Sequence, residues 1–144
     1  MFHTYLADTS SLVNLVKPRI ASVRLRFLTR LLDGGRLRLP DAVARELCEC
    51  NDDLKGWANR HSRRWLKSTN ENTETLAAVC RNHARYLLRE DKKYSADAVV
   101  ISMAIYHRAA GWIVLADDAG IQAVCLLEQL PYCTSQAFRV LEAV

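Results

Sequence analysis

Short apolar runs of strand character alternate with longer helical segments along this chain, and that alternation constrains its fold most. Strand-like runs are predicted at residues 4–7, 36–40 and 112–116, with a short extended piece after Pro131. Helical patterns fill the intervals, and glycine and proline are scarce, at five and three residues. Strands separated by helices favour a small parallel sheet with helices on both faces. The sequence therefore predicts α/β architecture, a three-layer α/β/α sandwich with a small parallel sheet, as a single domain over residues 1–144.

Helix boundaries follow from caps and breakers in the sequence. The helical period that starts at Ile20 is expected to end at Gly34–Gly35. Asp41 is expected to cap the helix that follows the second strand run, and Ser95 the helix that precedes the third. Gly111 is expected to end that later helix.

Residues 52–67 are predicted to form one helical segment with aromatic and basic side chains on neighbouring faces. Trp57, His61 and Trp65 recur at i, i+4 and i+8, a spacing more typical of core packing than of base stacking on RNA. The neighbouring basic face is a candidate RNA-binding surface, and it consists of Arg60, Arg63, Arg64 and Lys67.

Charge is distributed unevenly along the chain, although the net charge is only +4. Residues 17–93 hold eighteen of the twenty Lys and Arg residues, whereas residues 94–144 hold two basic and five acidic residues. This asymmetry favours a polyanionic partner held near carboxylates, although a single arginine is better explained as part of a solvated helix face. No apolar stretch approaches the roughly 18 residues of a membrane span, and no signal peptide is evident. We therefore expect a cytoplasmic protein without membrane association.

Five carboxylates in four segments interrupt apolar patterns. Asp8 ends the first strand run, Asp117 and Asp118 end the third, and Glu46 and Asp97 each lie on an apolar helical stripe. Each has an ordinary explanation: a helix cap, a strand-to-helix turn, an acid at the edge of a stripe, or an acid in a first helical turn. Together they are harder to explain, because isolated buried carboxylates cost several kcal/mol unless they are paired or bind metal.

Clustered carboxylates suit a hard divalent cation, and Mg²⁺ or Mn²⁺ is the expected cofactor. The five cysteines form no C-x-x-C pair and the four histidines are scattered, which argues against a histidine- or cysteine-based metal site. A bound cation lowers the pKa of a water and stabilises charge in the transition state. Beside arginine-rich helices, this chemistry is that of metal-dependent phosphodiester cleavage.

Over essentially the whole chain, the sequence resembles the PIN-domain ribonucleases. In size it is most similar to the single-domain VapC-type toxins of prokaryotic toxin–antitoxin pairs. The stretch YLADTSSLVNL resembles the opening strand and its Asp-Thr-Ser turn, here Asp8, Thr9 and Ser10. LPDAVARELCE resembles the segment that supplies the second acid, here Glu46, and SADAVVISMAIYH the helix that opens with the third, here Asp97.

The fourth motif, IVLADDAGIQAVC, departs from the usual strand, Thr-x-Asp and helix. Alignment on Ile121 makes Asp118 the fourth acid and puts Ala116 where Thr or Ser is common. Alignment on the strand favours Asp117 instead. Both alternatives remain open at the level of sequence.

The resemblance implies that the acids meet at one end of the sandwich and bind one or two Mg²⁺ or Mn²⁺ ions. Asp8 and Asp97 would be the main ligands, Glu46 a ligand or water-orienting base, and Asp117 or Asp118 a second-metal or outer partner. The implied reaction is endonucleolytic hydrolysis of RNA by a metal-activated water, leaving a 5′-phosphate.

Thr9 and Ser10 would support the site, Ser10 through a hydrogen bond. The implied partners are a cognate antitoxin, with a segment in the active-site groove, and a second copy in a homodimer. The alternative is a catalytically silent PIN-like module that binds RNA or a protein partner, which Ala116 favours.

Overall fold

A computed structural model describes residues 2–17, 24–49, 53–69, 72–87 and 96–144. Within them the chain forms five strands: β1 (Tyr5–Ala7), β2 (Leu37–Pro40), β3 (Trp65–Leu66), β4 (Ile113–Leu115) and β5 (Tyr132–Cys133). The α-helices of the same residues are α1 (Thr9–Val16), α2 (Leu25–Asp33), α3 (Asp41–Cys48), α4 (Asp53–Arg60), α5 (Thr73–Leu87), α6 (Ala96–Tyr106), α7 (Ala119–Glu128) and α8 (Ser135–Leu141). Helices cover the sheet on both faces, so the predicted three-layer α/β/α architecture is confirmed.

The sheet has the strand order β3-β2-β1-β4-β5, and every pairing in it is parallel. Tyr5 of the central strand β1 lies opposite Leu37 of β2 and Ile113 of β4. The chain builds outward from β1 to β2 and β3, and then returns to place β4 on the other side of β1. The order of strands therefore reverses between β1 and β4. In parallel α/β sheets, ligands bind at this switch point, outside the carboxyl ends of the strands.

The central strands lie in a continuous apolar core. All three residues of β1 are fully buried, as expected for a parallel strand covered on both faces. Helix α6 packs on β1, α3, α5 and α7, and it buries Val100, Ile101 and Met103. The two carboxyl ends that flank the switch point are thus held by well-packed elements.

Residues 53–67 are not one helix, and that prediction is wrong. Helix α4 ends at Arg60, a 3₁₀ turn follows at Ser62–Arg64, and Trp65 and Leu66 form β3. The break has a tertiary cause: β3 pairs with the carboxyl half of β2, with Leu39 opposite Trp65. Pairing with β2 supplies backbone hydrogen bonds to this segment. Two residues are too few for their own sequence to predict a strand.

Several predicted boundaries agree with the structure, and others shift. Gly35 follows α2 with a φ of +73°, a conformation that glycine adopts without strain, so the predicted stop is confirmed. Asp41 is the first residue of α3, not its cap, which is Pro40. Helix α6 ends at Tyr106, and Gly111 instead closes a following 3₁₀ turn. The predicted cap at Ser95 lies outside the described residues.

The longest described helix is α5, with 15 residues and a kink at His83. His83 is buried, and its Nε2 lies 2.8 Å from Oε1 of Glu128 on α7. Within the described ranges, no helix combines the length and the apolarity that crossing a membrane requires.

Candidate functional site

Asp8 stands directly after the central strand, at the carboxyl edge of the sheet. It is only 1% exposed, and its backbone N–H donates to the Leu115 carbonyl at the end of β4, 3.0 Å away. Its side chain caps α1, because Oδ1 accepts a hydrogen bond from the Ser11 amide at 2.9 Å. Oδ2 accepts a hydrogen bond from the Ser10 hydroxyl at 2.8 Å. Asp8 is therefore both a cap and a buried carboxylate at the switch point.

The surroundings of Asp8 disfavour its charge. Burial raises the pKa of this carboxyl, hydrogen bonds from Ser11 and Ser10 oppose that rise, and the charge of Asp117 adds to it. Burial and the nearby Asp8 also raise the pKa of the Cys125 thiol, to about 12, so the thiol stays neutral. A carboxylate kept in such a place is stabilised when a cation reaches it.

Asp117 is the second carboxylate at this edge, two residues beyond β4. Its Oδ1 accepts from the Ser135 amide at 2.7 Å, and its Oδ2 accepts from Asn14 Nδ2 and from the Ser135 hydroxyl, each at 2.7 Å. Burial would raise its pKa, but these hydrogen bonds and the Arg139 charge lower it overall. Asp117 is thus ionised and rigidly held between α1 and α8.

Asp118 is a helix cap. Its Oδ1 accepts from the Ile121 amide at 2.9 Å and so caps α7. The preceding Ala116 is fully buried, and its amide donates to the Cys133 carbonyl of β5. Of the two adjacent acids, Asp117 is the one whose charge acts on Asp8. The geometry thereby favours Asp117 over Asp118 as the partner of Asp8.

Glu46 is joined to this edge through Thr9. The Thr9 hydroxyl donates to Glu46 Oε1 at 3.0 Å, which ties the first residue of α1 to α3. Glu46 is half-buried, while Val43 and Leu47 on its predicted stripe are fully buried. The hydroxyls of Thr9 and Ser10 therefore contact two different acids of the predicted set.

Asp97 lies in the first turn of α6 and is half-buried. Val100, Ile101 and Ala104 of its predicted stripe are buried, so Asp97 does head an apolar face. Because α6 leads into the amino end of β4, it begins towards the carboxyl edge of the sheet. Asp97 thus starts an element that packs directly on β1 and α3.

The donor set at the switch point is suited to a hard cation. Its atoms are carboxylate and hydroxyl oxygens, the ligands of Mg²⁺ and Mn²⁺. Among the described residues, no group of three or more His, Cys, Asp and Glu side chains is gathered closely enough to hold a metal ion. Mg²⁺ is commonly bound by only one or two carboxylates together with water and substrate phosphates. Asp8 and Asp117 supply carboxylates of the type used in that mode of binding.

Three residues of this site were missed by the sequence analysis. The Ser11 hydroxyl lies within hydrogen-bonding distance of the carbonyls of Asp8 and Leu115, at 3.0 and 2.8 Å, and its single proton is shared between these acceptors at the ends of β1 and β4. Asn14 could have been found, because it is a polar residue in an apolar helix, four residues after Ser10. Ser135 could not have been predicted from the sequence, because it reaches Asp117 only after β5 has paired with β4.

A cavity of about 400 Å³ opens beside this arrangement. Asn14, Asp117, Ser135 and Arg139 line it, together with Thr134 and Gln136. The guanidinium of Arg139 also lies near the Asn14 and Leu15 carbonyls, at 3.4 and 3.3 Å. Asp117 is thus reachable from solvent, whereas Asp8 lies deeper.

The four predicted RNA-binding cations do not share one face, because the helix expected to carry them ends at Arg60. Arg64 lies 3.7 Å from the carboxylate of Asp33. Arg63 and Lys67 line a cavity with Arg45 beside the edge strand β3, and Arg63 also lines a cavity with Arg64. The prediction of one continuous basic helix face is therefore wrong.

A family model described as a domain of unknown function (DUF4411) matches residues 5–129. The matched range covers most of the chain and includes all five acids predicted from the sequence. No curated protein matches the sequence.

Proposed function

The chain belongs to the DUF4411 family, and we propose that it is a metal-dependent endoribonuclease that uses Mg²⁺ or Mn²⁺ to hydrolyse RNA. The observation that carries this proposal is Asp8, buried at the switch point of a parallel sheet with the charge of Asp117 beside it. Burial of Asp8 beside the charge of Asp117 raises the free energy of the metal-free site when Asp8 is ionised. A divalent cation relieves that cost.

Asp8 and Asp117 are the residues that would hold the cation, with Glu46 and Asp97 as further acids at the same edge. The bound cation would lower the pKa of a water and stabilise negative charge on the phosphate. The protein itself fixes the ligands: Ser10 and Ser11 hold Asp8, and Asn14 and Ser135 hold Asp117. Such outer hydrogen bonds orient carboxylates before the substrate arrives.

RNA is the proposed substrate because of the resemblance to PIN-domain ribonucleases and the arginine-rich first two thirds of the chain. The resemblance extends the proposal to a toxin role, with a cognate antitoxin and a homodimer as partners. In this role an antitoxin segment would lie over the carboxyl edge and block access to Asp117.

The test is cleavage of end-labelled single-stranded and structured RNA with Mg²⁺, with Mn²⁺, and with EDTA. Wild-type protein should cleave only with a divalent cation, and Asp8→Asn and Asp97→Asn should each lower the rate by at least about 100-fold. Asp117→Asn should also lose activity. Asp118→Asn is the matched control, because asparagine still offers a cap oxygen to the Ile121 amide and activity should persist.

Parallel purification of these variants also controls for contaminating nucleases. Cleavage in EDTA, or undiminished cleavage by both Asp8→Asn and Asp97→Asn, would refute the hydrolase proposal. RNA binding without cleavage in either metal would favour the catalytically silent PIN-like module.

A further inference from the structure

The cavity beside the edge strand β3 has a volume of about 610 Å³ and extends from the 3₁₀ turn before that strand to the residues that follow β2 and β3. Three cations line it: Arg45 from the second turn of α3, Arg63 from the 3₁₀ turn before β3, and Lys67 immediately after β3. Asp41 is the carboxylate in its lining. We name these four residues the cationic cavity. It is outside the set of acids that carries the proposed chemistry.

The carboxylate of Asp41 is occupied by hydrogen bonds within the protein. Asp41 is 6% exposed, and its Oδ2 accepts from the Ser68 amide at 3.0 Å. Its Oδ1 accepts from the Ser68 hydroxyl at 3.0 Å and from the Ala42 amide at 2.8 Å. These bonds fasten the segment after β3 to the end of β2, and thereby fix the backbone that carries Lys67.

The cations, by contrast, face solvent. The side chain of Arg45 is 68% exposed, and its Nη2 is 3.8 Å from Asp41 Oδ2, too long for a hydrogen bond. Arg63 and Lys67 are exposed, and among the described residues neither forms an ion pair. Arg64, next in sequence to Arg63, pairs with Asp33 instead. The cationic cavity therefore presents three exposed positive charges against one buried negative charge.

The position of the cavity relates it to the proposed site. Lys67 follows β3 and Asp8 follows β1, and both strands point to the same edge of the sheet. The two strands are separated only by β2, so their ends lie about 10 Å apart at the usual strand spacing. Lys67, at the carboxyl end of β3, therefore lies within reach of an extended RNA strand that also contacts the carboxylate edge.

We propose that the cationic cavity binds phosphates of single-stranded RNA that flank the bond cleaved at Asp8 and Asp117. Arginine contacts phosphate through two parallel hydrogen bonds, and lysine through a compact charge, so the three side chains suit a backbone and not a base sequence. This inference rests on the proposed function for the identity of its ligand. The inference adds a binding surface for the RNA backbone next to the proposed cleavage site.

The experiment measures binding of a fluorescent 20-nucleotide single-stranded RNA by anisotropy, in EDTA to prevent cleavage, over a series of KCl concentrations. The Arg63→Gln/Lys67→Gln double variant should bind roughly tenfold more weakly at low salt, with a salt slope smaller by about 1.4. Arg30→Gln is the matched control, because Arg30 is exposed in the last turn of α2, near the amino end of β2. It should bind like wild type.

Equal affinity and equal salt slope in the double variant and wild type would overturn the inference, whatever the cleavage assay shows. Loss of binding in the double variant with no cleavage by wild type in any metal would support RNA binding at the cationic cavity and refute both the proposed function and the placement of a cleaved bond beside it. Poly-glutamate that binds as tightly as RNA, and loses binding in the same variant, would assign the cationic cavity to an acidic protein instead. Circular dichroism confirms that each variant is folded.

Discussion

Asp8 is a helix cap and also a buried carboxylate at the switch point of the sheet. One oxygen caps α1 through the Ser11 amide, and the other accepts from the Ser10 hydroxyl, while the whole side chain is buried beside the charge of Asp117. A cap needs no burial, because asparagine or serine at the surface serves equally well. Burial of a carboxyl group beside a second acid at this position therefore favours a function beyond capping.

Asp8→Asn should stabilise the metal-free protein. Asparagine keeps an acceptor for the Ser11 amide but removes the buried charge, so we expect a melting temperature higher by about 2–4 °C per kcal/mol gained. The pKa of Asp8 is raised in the folded state, so its ionisation costs stability as the pH rises through that pKa. The advantage of Asp8→Asn should be full above the raised pKa of Asp8 and vanish below the ordinary carboxyl value of 3.8. A lower melting temperature at pH 7 would contradict this account.

Asp117→Asn should have the opposite effect. The folded-state pKa of Asp117 is lowered, so its stabilisation is present above its ordinary value of 3.8 and is lost as the pH falls through the folded value. An amide cannot accept all three hydrogen bonds from Asn14 and Ser135, and the cost should be about 1–3 kcal/mol at pH 7. Thermal melts in EDTA from pH 3 to pH 8 measure both variants. Equal changes of the melting temperature, with the same sign in Asp8→Asn and Asp117→Asn, would refute the predicted difference between the two residues.

At the scale of elements, the strand runs and the helices before and after them were largely predictable, because apolar period and caps are local properties. The structure of the segment after Arg60 could not be predicted in this way. Its basic residues keep a helical spacing, yet Trp65 and Leu66 pair with β2, and Trp65 Nε1 donates to the Ala58 carbonyl at 3.0 Å. Trp57, on the same predicted stripe, is buried, and its Nε1 donates to Thr29. Contacts with segments distant in sequence therefore determine the secondary structure of this region.

The approach of α5 to α7 depends on Gly120. A Cβ at Gly120 would clash with the Tyr86 carbonyl oxygen and crowd Oδ1 of Asp118. Gly120→Ala should therefore cost about 1–3 kcal/mol, although alanine is the better helix former. Gly56→Ala is the matched control, since a Cβ there meets only the flexible Arg60 guanidinium, and it should gain up to about 1 kcal/mol. Urea denaturation of both variants measures the difference, and stabilisation by Gly120→Ala would contradict the close approach.

At the scale of the whole molecule, the topology brings the ends of distant segments to one edge. Asp8 and Asp117 could be predicted as strand-end acids, because parallel strands align their carboxyl ends. Their supports could not, since Ser135 reaches Asp117 only through the β4–β5 pairing, and Ser68 reaches Asp41 only through the β2–β3 pairing. The different surroundings of Asp117 and Asp118 could not be predicted either, because the two residues are adjacent in sequence and only the fold gives Asp117 to Asn14 and Ser135, and Asp118 to the Ile121 amide.

The central claim is that Asp8 belongs to a divalent-cation site, and calorimetric titration of Mn²⁺ into metal-free protein tests it most directly. Wild-type protein should bind Mn²⁺ saturably, and Asp8→Asn should bind at least about tenfold more weakly although it melts at a higher temperature. Asp118→Asn should keep the wild-type affinity. Equal Mn²⁺ affinity in wild-type protein and Asp8→Asn, or no binding to either, would contradict the account.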